Sequence, residues 1–377
     1  MKLSCLQENL NKGLNVVGRA VATRTTLPIT NNILLATDQS RLKLAATNLE
    51  MAITCWTGAK IEEEGAITVP ARLLTEFISS LPSDKIDINL SPRTKTLELK
   101  CARFEARISG VDAKDFPPIP KIDEGITTEV EIAALQQGID QVVFAAATEE
   151  SRPVLTGVDT QFNGDLLTLA AADGFRLAVY KLPLAAPVDQ PTEVIIPART
   201  LAELNRLIAD QEEAVEITVN PNKSQALFRL KDIELVSQLV QGTFPNYSQL
   251  IPQSYNTRMV VSVAEFLRAT KTASIFARDG SGIVRLVITP GAELAPGKLT
   301  VSARSEEIGD DVGEIDATVE GEEAKIAFNG KYLTEALSVL HEPQVALETN
   351  NPSSPGVIRP VGVDNYIHVV MPMFVQW

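Results

Sequence analysis

Apolar positions recur at helical spacing three times along the chain, each time ahead of a stretch that alternates. Leu6, Leu10, Leu14, Val17 and Val21 form one stripe, while Lys12, Asn15 and Arg19 fall on other faces. That is the pattern of an amphipathic helix. Ile132, Leu135, Ile139, Val142 and Ala146 repeat it, and Val263, Leu267, Thr270 and Ala273 follow more loosely. A second helix is predicted after each first one. Its buried side is Leu73, Leu74, Phe77 and Ile78 in one case, Leu201, Leu204 and Ile208 in the next, and Leu333, Leu337 and Leu340 in the last. Pro70 and Pro197 stand where these helices begin, and a first-turn proline forfeits only an N–H that has no partner there. Between the helices the period drops to two, as in Ile86–Leu90 and Thr96–Leu99, which predicts short, half-buried antiparallel strands.

The same unit is therefore written three times. Leu42–Asn48, Leu167–Asp173 and Leu299–Ser305 share an alternating run that closes on a polar residue, at offsets of 125 and 132. Val69–Arg72, Ile196–Arg199 and Phe328–Lys331 recur at offsets of 127 and 132. This period is far longer than a solenoid repeat of roughly 20–50 residues. Proline- and glycine-bearing stretches at 116–125 and 244–257 supply the boundaries. The expected organisation is three α+β domains spanning 1–122, 126–252 and 256–377, each with two helices packed on antiparallel sheets.

Composition narrows the function. No apolar run of the 377 residues approaches the ~18 of a membrane span, and polar Gln7, Glu8 and Lys12 interrupt any leader-like stretch at the start. Cys5, Cys55 and Cys101 are too widely spaced for a metal or redox pair, so a reducing cytoplasm is expected. Candidate chemistry is sparse. The two histidines, His341 and His368, fall near a helix end and inside an alternating strand, and both read as structural. No phosphate-cradling loop or serine elbow is present. Asp173-Gly174 and Asp279–Gly282 read as turns, and the acidic run 306–323 as a solvated loop and strand edge. The expectation is a protein that is not an enzyme, with no cofactor, catalytic residue or metal site.

A net charge of −14 argues against nucleic acid on its face. Its distribution argues the other way. The six predicted helical segments carry +3, which leaves −17 on everything else. A weakly positive helical surface on an acidic body can hold a duplex through its phosphates without reading bases. Helices packed 8–10 Å apart set the scale: six around a ring leave a bore of roughly 9 Å, twelve leave roughly 28 Å. A duplex is on the order of 20 Å across. One chain cannot encircle DNA on this arithmetic, whereas a closed homodimer can.

Four further segments carry a resemblance. These are Thr26-Leu27-Pro28-Ile29 with Asn32–Leu35, Asp173–Ala178, Gly242–Tyr247, and Val369–Met373. In this order and spacing the chain resembles, over its whole length, the bacterial DNA polymerase III beta subunit (sliding clamp) family. The resemblance implies a head-to-tail dimeric ring of clamp domains, with helices lining the hole and sheets forming the rim. It implies sequence-independent hold on double-stranded DNA, a clamp loader to open the ring, and partners that dock short peptides: the polymerase III catalytic subunit, other polymerases and repair proteins. Carried onto this sequence, the partner pocket comprises Leu155, Ala172, Gly174, Phe175, Arg176, Leu177, Pro245, Leu250, Val369, Met371, Pro372 and Met373. Flexible methionines suit such an adaptable cleft. Arg24 and Arg72 match DNA-contacting positions, and Arg199 and Arg206 join them from the helix pattern. Dimer contacts would involve Ile108 on one copy and Ile275 and Phe276 on the other, pairing edges that are otherwise liabilities. The chain departs from the family pattern at 149–154, where acid and proline replace a glutamine and aromatics, and Phe374–Trp377 adds two aromatics beside the pocket. The competing reading from the residues alone is a three-repeat enzyme or a protein-only scaffold with an acidic surface, which nucleotide hydrolysis by the purified chain would favour.

Overall fold

The computed structural model describes residues 1–23, 25–149, 151–277, 282–292, 295–307 and 309–377. Its six α-helices are α1 (Gln7–Val17), α2 (Ala71–Ser80), α3 (Ile132–Val142), α4 (Ala198–Ile208), α5 (Val263–Ala277) and α6 (Gly330–Ser338). The chain forms two compact units. One comprises 1–133, 184–190 and 199–239; the other comprises 134–183, 191–198 and 240–377.

In the first unit, Leu10, Leu14 and Val17 of α1 have no solvent exposure. Burying each contributes roughly 1.5–3 kcal/mol. The helix lies on strands Arg41–Thr47 and Met51–Thr57, and Gly13 makes this approach possible: a Cβ there would sit 2.7 Å from Leu44 Cδ1. The α1 stripe is shorter than its pattern, since Leu6 is exposed and Val21 lies beyond a short 3₁₀ turn. Helix α2 packs beside α1, and the buried Gln7 amide donates to the Ile78 carbonyl at 2.7 Å, satisfying a last-turn acceptor. On α2, Ala71, Leu74 and Ile78 face inward and Leu73 faces solvent. Pro70 is the N-cap residue, one position ahead of the first turn. On α4, Leu201, Leu204, Leu207 and Ile208 are buried.

Two sheets complete this unit. The five-stranded one runs Lys60–Glu63, Lys2–Leu6, Lys85–Ser91, Thr96–Cys101, Phe104–Ser109. The eight-stranded one runs Ile126–Val130, Val215–Val219, Gln225–Leu230, Ile233–Gln238, Met51–Thr57, Arg41–Thr47, Asn32–Asp38, Ala66–Pro70. Its central join pairs Ile233–Ser237 antiparallel with Met51–Cys55, so one sheet is built from distant parts of the sequence.

The second unit holds a ten-stranded sheet: Gly157–Ala172, Arg176–Pro197, Tyr366–Val370, Gly356–Pro360, Gln344–Thr349, Thr257–Ser262, Gly309–Gly321, Gly297–Ser305, Ile283–Thr289, Ala324–Asn329. Residues 184–190 of its second strand belong to the first unit. The long-range join here pairs Arg176–Tyr180 with Tyr366–Val370. Two strands are long rather than short, at 16 and 22 residues. The acidic run is mostly the largely exposed strand Gly309–Gly321, with less loop than expected. On α5 the buried face is Val263, Phe266, Thr270, Ala273 and Ala277; Phe266, not Leu267, occupies the core. Asn329 caps α6 by accepting from Lys331 N at 2.9 Å and Tyr332 N at 3.4 Å. His341 lies past the end of that helix and is exposed, whereas His368 is fully buried in its strand. The expected turn Asp279–Gly282 has residues 279–281 outside the described residues.

Candidate functional site

The candidate DNA-contacting arginines reside in the first unit, apart from Arg24, which lies outside the described residues. Arg72 on α2 projects into solvent with Nε 2.7 Å from Glu76 one turn on. Arg199 and Arg206 on α4 are separated by seven residues, with Glu203 between them on the same helical face. Glu203 takes both Arg206 at 2.7 Å and Arg19, in the 3₁₀ turn after α1, at 3.4 Å. Arg206 thus joins Arg19 and Lys12, which the candidate set omitted, around a groove of about 570 Å³ between α1 and α4. Arg72 is not among the residues of that groove. Lys12 reaches Asp210 only at 3.9 Å. The Arg72–Glu76 and Lys12–Asp210 pairs are exposed on both sides and worth little, so a phosphate can take those cations without a large penalty; Glu203, only 12% exposed, is the firmer partner of Arg206 and Arg19. Lys12 and Arg19 were legible as residues off the apolar stripe of α1.

The candidate partner pocket lies wholly within the second unit. Its floor is two apolar clusters. One contains Ala170, Leu177, Val179, Val357 and Val369; the other contains Leu155, Ile195 and Phe244. Ala172 and Tyr247 pack against both and join them. Tyr247 is absent from the candidate set although it closes the Gly242–Tyr247 segment. It stands edge-on to Phe244 with centroids 6.3 Å apart. Burial, with Asp159 and Glu193 nearby, pushes its phenol up to about 12.

Above this floor the side chains are open. Phe175 and Leu250 are each 56% exposed and Met371 is 42% exposed. Gly174 and Pro245 are exposed, and Pro372 and Met373 are half-buried. Backbone bonds hold the parts together: Met371 N donates to Phe175 O at 2.8 Å and Leu250 N to Tyr247 O at 2.9 Å. The turn from Asp173 is stiff. Asp173 Oδ1 accepts from the Phe175 and Arg176 amides at 2.9 and 3.1 Å, and Gly174 adopts φ +94°, a conformation that favours glycine. A Cβ at Gly174 would also meet the Arg152 guanidinium at 3.0 Å. Apolar side chains standing on an apolar floor, with fixed backbone beneath, form the kind of surface that binds partner peptides. Of the C-terminal aromatics, Phe374 is 84% exposed and Trp377 is 49% exposed.

Arg176 does not line the opening. It is buried, and its guanidinium points into the protein toward Asp173, Glu335 and the Phe144 carbonyl. His368 stacks on Phe144 with centroids 5.5 Å apart; burial and the Arg176 charge push its imidazole down to about 3, so it stays neutral.

Among the candidate dimer residues, Ile275 is exposed on α5 and Phe276 is partly buried. Ile108 is buried within its own sheet, opposite the equally buried Leu97. Strand alternation decides this: Ala106 and Ile108 share the inward face, while Glu105, Arg107 and Ser109 face solvent. What strand Phe104–Ser109 presents at the sheet edge is its backbone and Phe104. Among the described residues there is no cluster of three or more His, Cys, Asp or Glu able to hold a metal, and no helix long and apolar enough to cross a membrane.

Paired helices on antiparallel sheets, repeated along the chain and joined by long-range strand pairing, define an α+β repeat protein of the DNA-clamp class. Models of the N-terminal, central and C-terminal domains of the DNA polymerase III beta subunit match residues 1–120, 129–246 and 248–374 in that order. The chain is 33% identical to a beta sliding clamp of Synechococcus elongatus, over 99% of both chains. It is 31% identical to that of Bacillus subtilis, again over 99% of both. The crystal structure of the Bacillus subtilis DNA polymerase sliding clamp superposes with a TM-score of 0.94 at 30% identity over the full length of both chains. That of the Pseudomonas aeruginosa DNA polymerase III subunit beta does so at 0.91 and 28%. The chain belongs to the DNA polymerase III beta subunit family.

Proposed function

We propose that this chain is a DNA sliding clamp whose three clamp domains span 1–122, 126–252 and 256–377. Two copies close head to tail into a ring around duplex DNA, in the cytoplasm, and tether the replicative polymerase to its template. The observation that carries this reading is the ordered match of all three beta-subunit domain models across the chain. The site chemistry supports it. Arg72, Arg199 and Arg206 sit exposed on helices, where they can meet phosphates without reading bases. Encirclement retains DNA topologically, so the chain performs no catalysis itself and depends on a separate loader to open the ring.

Partners dock on the pocket of Phe175, Leu250 and Met371, with the polymerase III catalytic subunit, other polymerases and repair proteins competing for it. The dimer forms where the backbone edge of Phe104–Ser109 meets the α5 end carrying Ile275 and Phe276. Solution mass and DNA topology test the proposal together. The expected results are a particle of twice the 40.8 kDa chain mass and, after loading, retention on circular DNA that vanishes when the circle is cut. A strict monomer at micromolar concentration, or equal retention on circle and line, overturns it.

A further inference from the structure

The turn beneath Phe175 is held from helix α6, and the hold passes through one guanidinium. Arg176 Nε donates to Asp173 Oδ2 at 3.0 Å. Nη1 donates to Glu335 of α6, and Nη2 donates to the Phe144 carbonyl at 2.6 Å. The Arg176 side chain is only 7% exposed, and Asp173 and Glu335 are 13% and 33% exposed. Its Cζ lies 4.5 Å from the Tyr332 ring and 5.3 Å from the Phe144 ring. Tyr332, also on α6, carries Phe175 stacked on it at 6.4 Å.

These contacts form a chain of dependence. Asp173 uses one oxygen to hold the two amides that shape the turn and the other to hold Arg176. Arg176 keeps its direction because a planar guanidinium makes several bonds at fixed angles. Glu335 supplies the second carboxylate that balances the buried cation. Neutral His368 adds no charge to the cluster. Loss of the Glu335 carboxylate leaves the guanidinium one anchor short, and Asp173, the Phe175 carbonyl and the Met371 amide bonded to it follow the guanidinium.

We propose that Glu335 is a positioning residue for partner binding: without touching the partner, it fixes Phe175 and Met371 in the pocket by anchoring Arg176 from helix α6. This rests on the reading of that pocket as the partner site. It also makes α6 serve two purposes, because the other Glu335 oxygen lies 3.9 Å from Lys331 Nζ on the same exposed helical face.

The test measures binding of the intact chain to the immobilised cognate DNA polymerase III catalytic subunit. Glu335→Gln, Glu335→Ala and Arg176→Lys are compared with a Met371→Ala/Met373→Ala control. Glu335→Ala is expected to weaken binding about tenfold. Glu335→Gln should weaken it less, because its amide oxygen still accepts from Nη1. Arg176→Lys should match Glu335→Ala, since a single compact ammonium cannot span acceptors that three separate guanidinium nitrogens reach. Melting temperature and dimer mass should be unchanged in both Glu335 variants. Wild-type affinity in Glu335→Ala while the methionine control has lost binding overturns the inference and leaves the pocket standing. Affinity and melting temperature falling in proportion through Gln and Ala overturns it as well, since that is the mark of a purely structural contact. A methionine control that binds like wild type removes the pocket reading and the inference with it.

Discussion

Charge is handled in opposite ways in the two units. In the first, Arg72 stands in solvent beside the exposed Glu76, and Arg206 stands in solvent on Glu203, a 12%-exposed carboxylate that it shares with Arg19. In the second, Arg176 is sealed among three acceptors and two aromatic rings. The same side chain is open to a ligand in one setting and builds in the other. Desolvation makes the difference. An exposed ion pair exchanges its partner at little cost, whereas buried acceptors left without their cation cost several kcal/mol.

The sharpest way to break this contrast is to remove Arg176. Arg176→Ala leaves Asp173 and Glu335 facing an empty space, and unfolding in denaturant should show a loss of about 3–5 kcal/mol. A loss below about 1 kcal/mol would put Arg176 among the surface charges.

A smaller effect comes from the buried carboxyl of Asp159. Burial raises it from 3.8 to about 6, opposed by the Gln161 hydrogen bond and assisted by Glu193. The folded value exceeds the unfolded one, so its contribution to stability is full below about pH 4 and is lost as pH rises through about 6. Asp159→Asn, which can still accept from Gln161, should therefore gain about 2 kcal/mol on the wild type between pH 4 and pH 7. Melting curves of the two proteins across that range check this; a constant difference would mean that Asp159 ionises freely.

Next in size is the open pocket. Met371→Ala with Met373→Ala should weaken polymerase binding about tenfold, as expected when apolar anchors are truncated, with the dimer intact. Calorimetric or surface-binding titration measures it, and unaltered affinity would place the docking site elsewhere.

The smallest effect on stability belongs to the exposed arginines. Arg72→Ala and Arg206→Ala should change unfolding free energy by no more than about 0.5 kcal/mol. If each contacts a phosphate, the salt dependence of DNA association should flatten by about one unit of slope per arginine. A change in stability without a change in slope would reverse the contrast between the units.

Local pattern carried much of this into the sequence. Leu10, Leu14 and Val17, or Leu201, Leu204 and Ile208, reveal a buried face because their spacing is helical and nothing distant is needed to place them. Where two apolar residues adjoin, as in Leu73-Leu74 or Phe266-Leu267, spacing cannot choose between them, and packing buried Leu74 and Phe266. The resemblance offered Ile108 as a dimer contact, but pleat parity turns its side chain inward. Proline within the strand Arg176–Pro197 hid its length. Arg176 sits in a motif that marks the pocket, yet its acceptors come from Asp173, Phe144 and Glu335. The last is 159 positions away, a separation at which no periodicity carries information.

The pairing of Ile233–Ser237 with Met51–Cys55 has a consequence for heredity. A tandem ancestor could be copied end to end only while each copy still closed on itself. Because the strand pairing crosses between units of the repeat, residues 1–120, the span of the N-terminal domain model, would bare Met51–Cys55 as a sticky flank if cut out at their linker. The linkers remain legible in the sequence, but they are not places where the molecule can be divided.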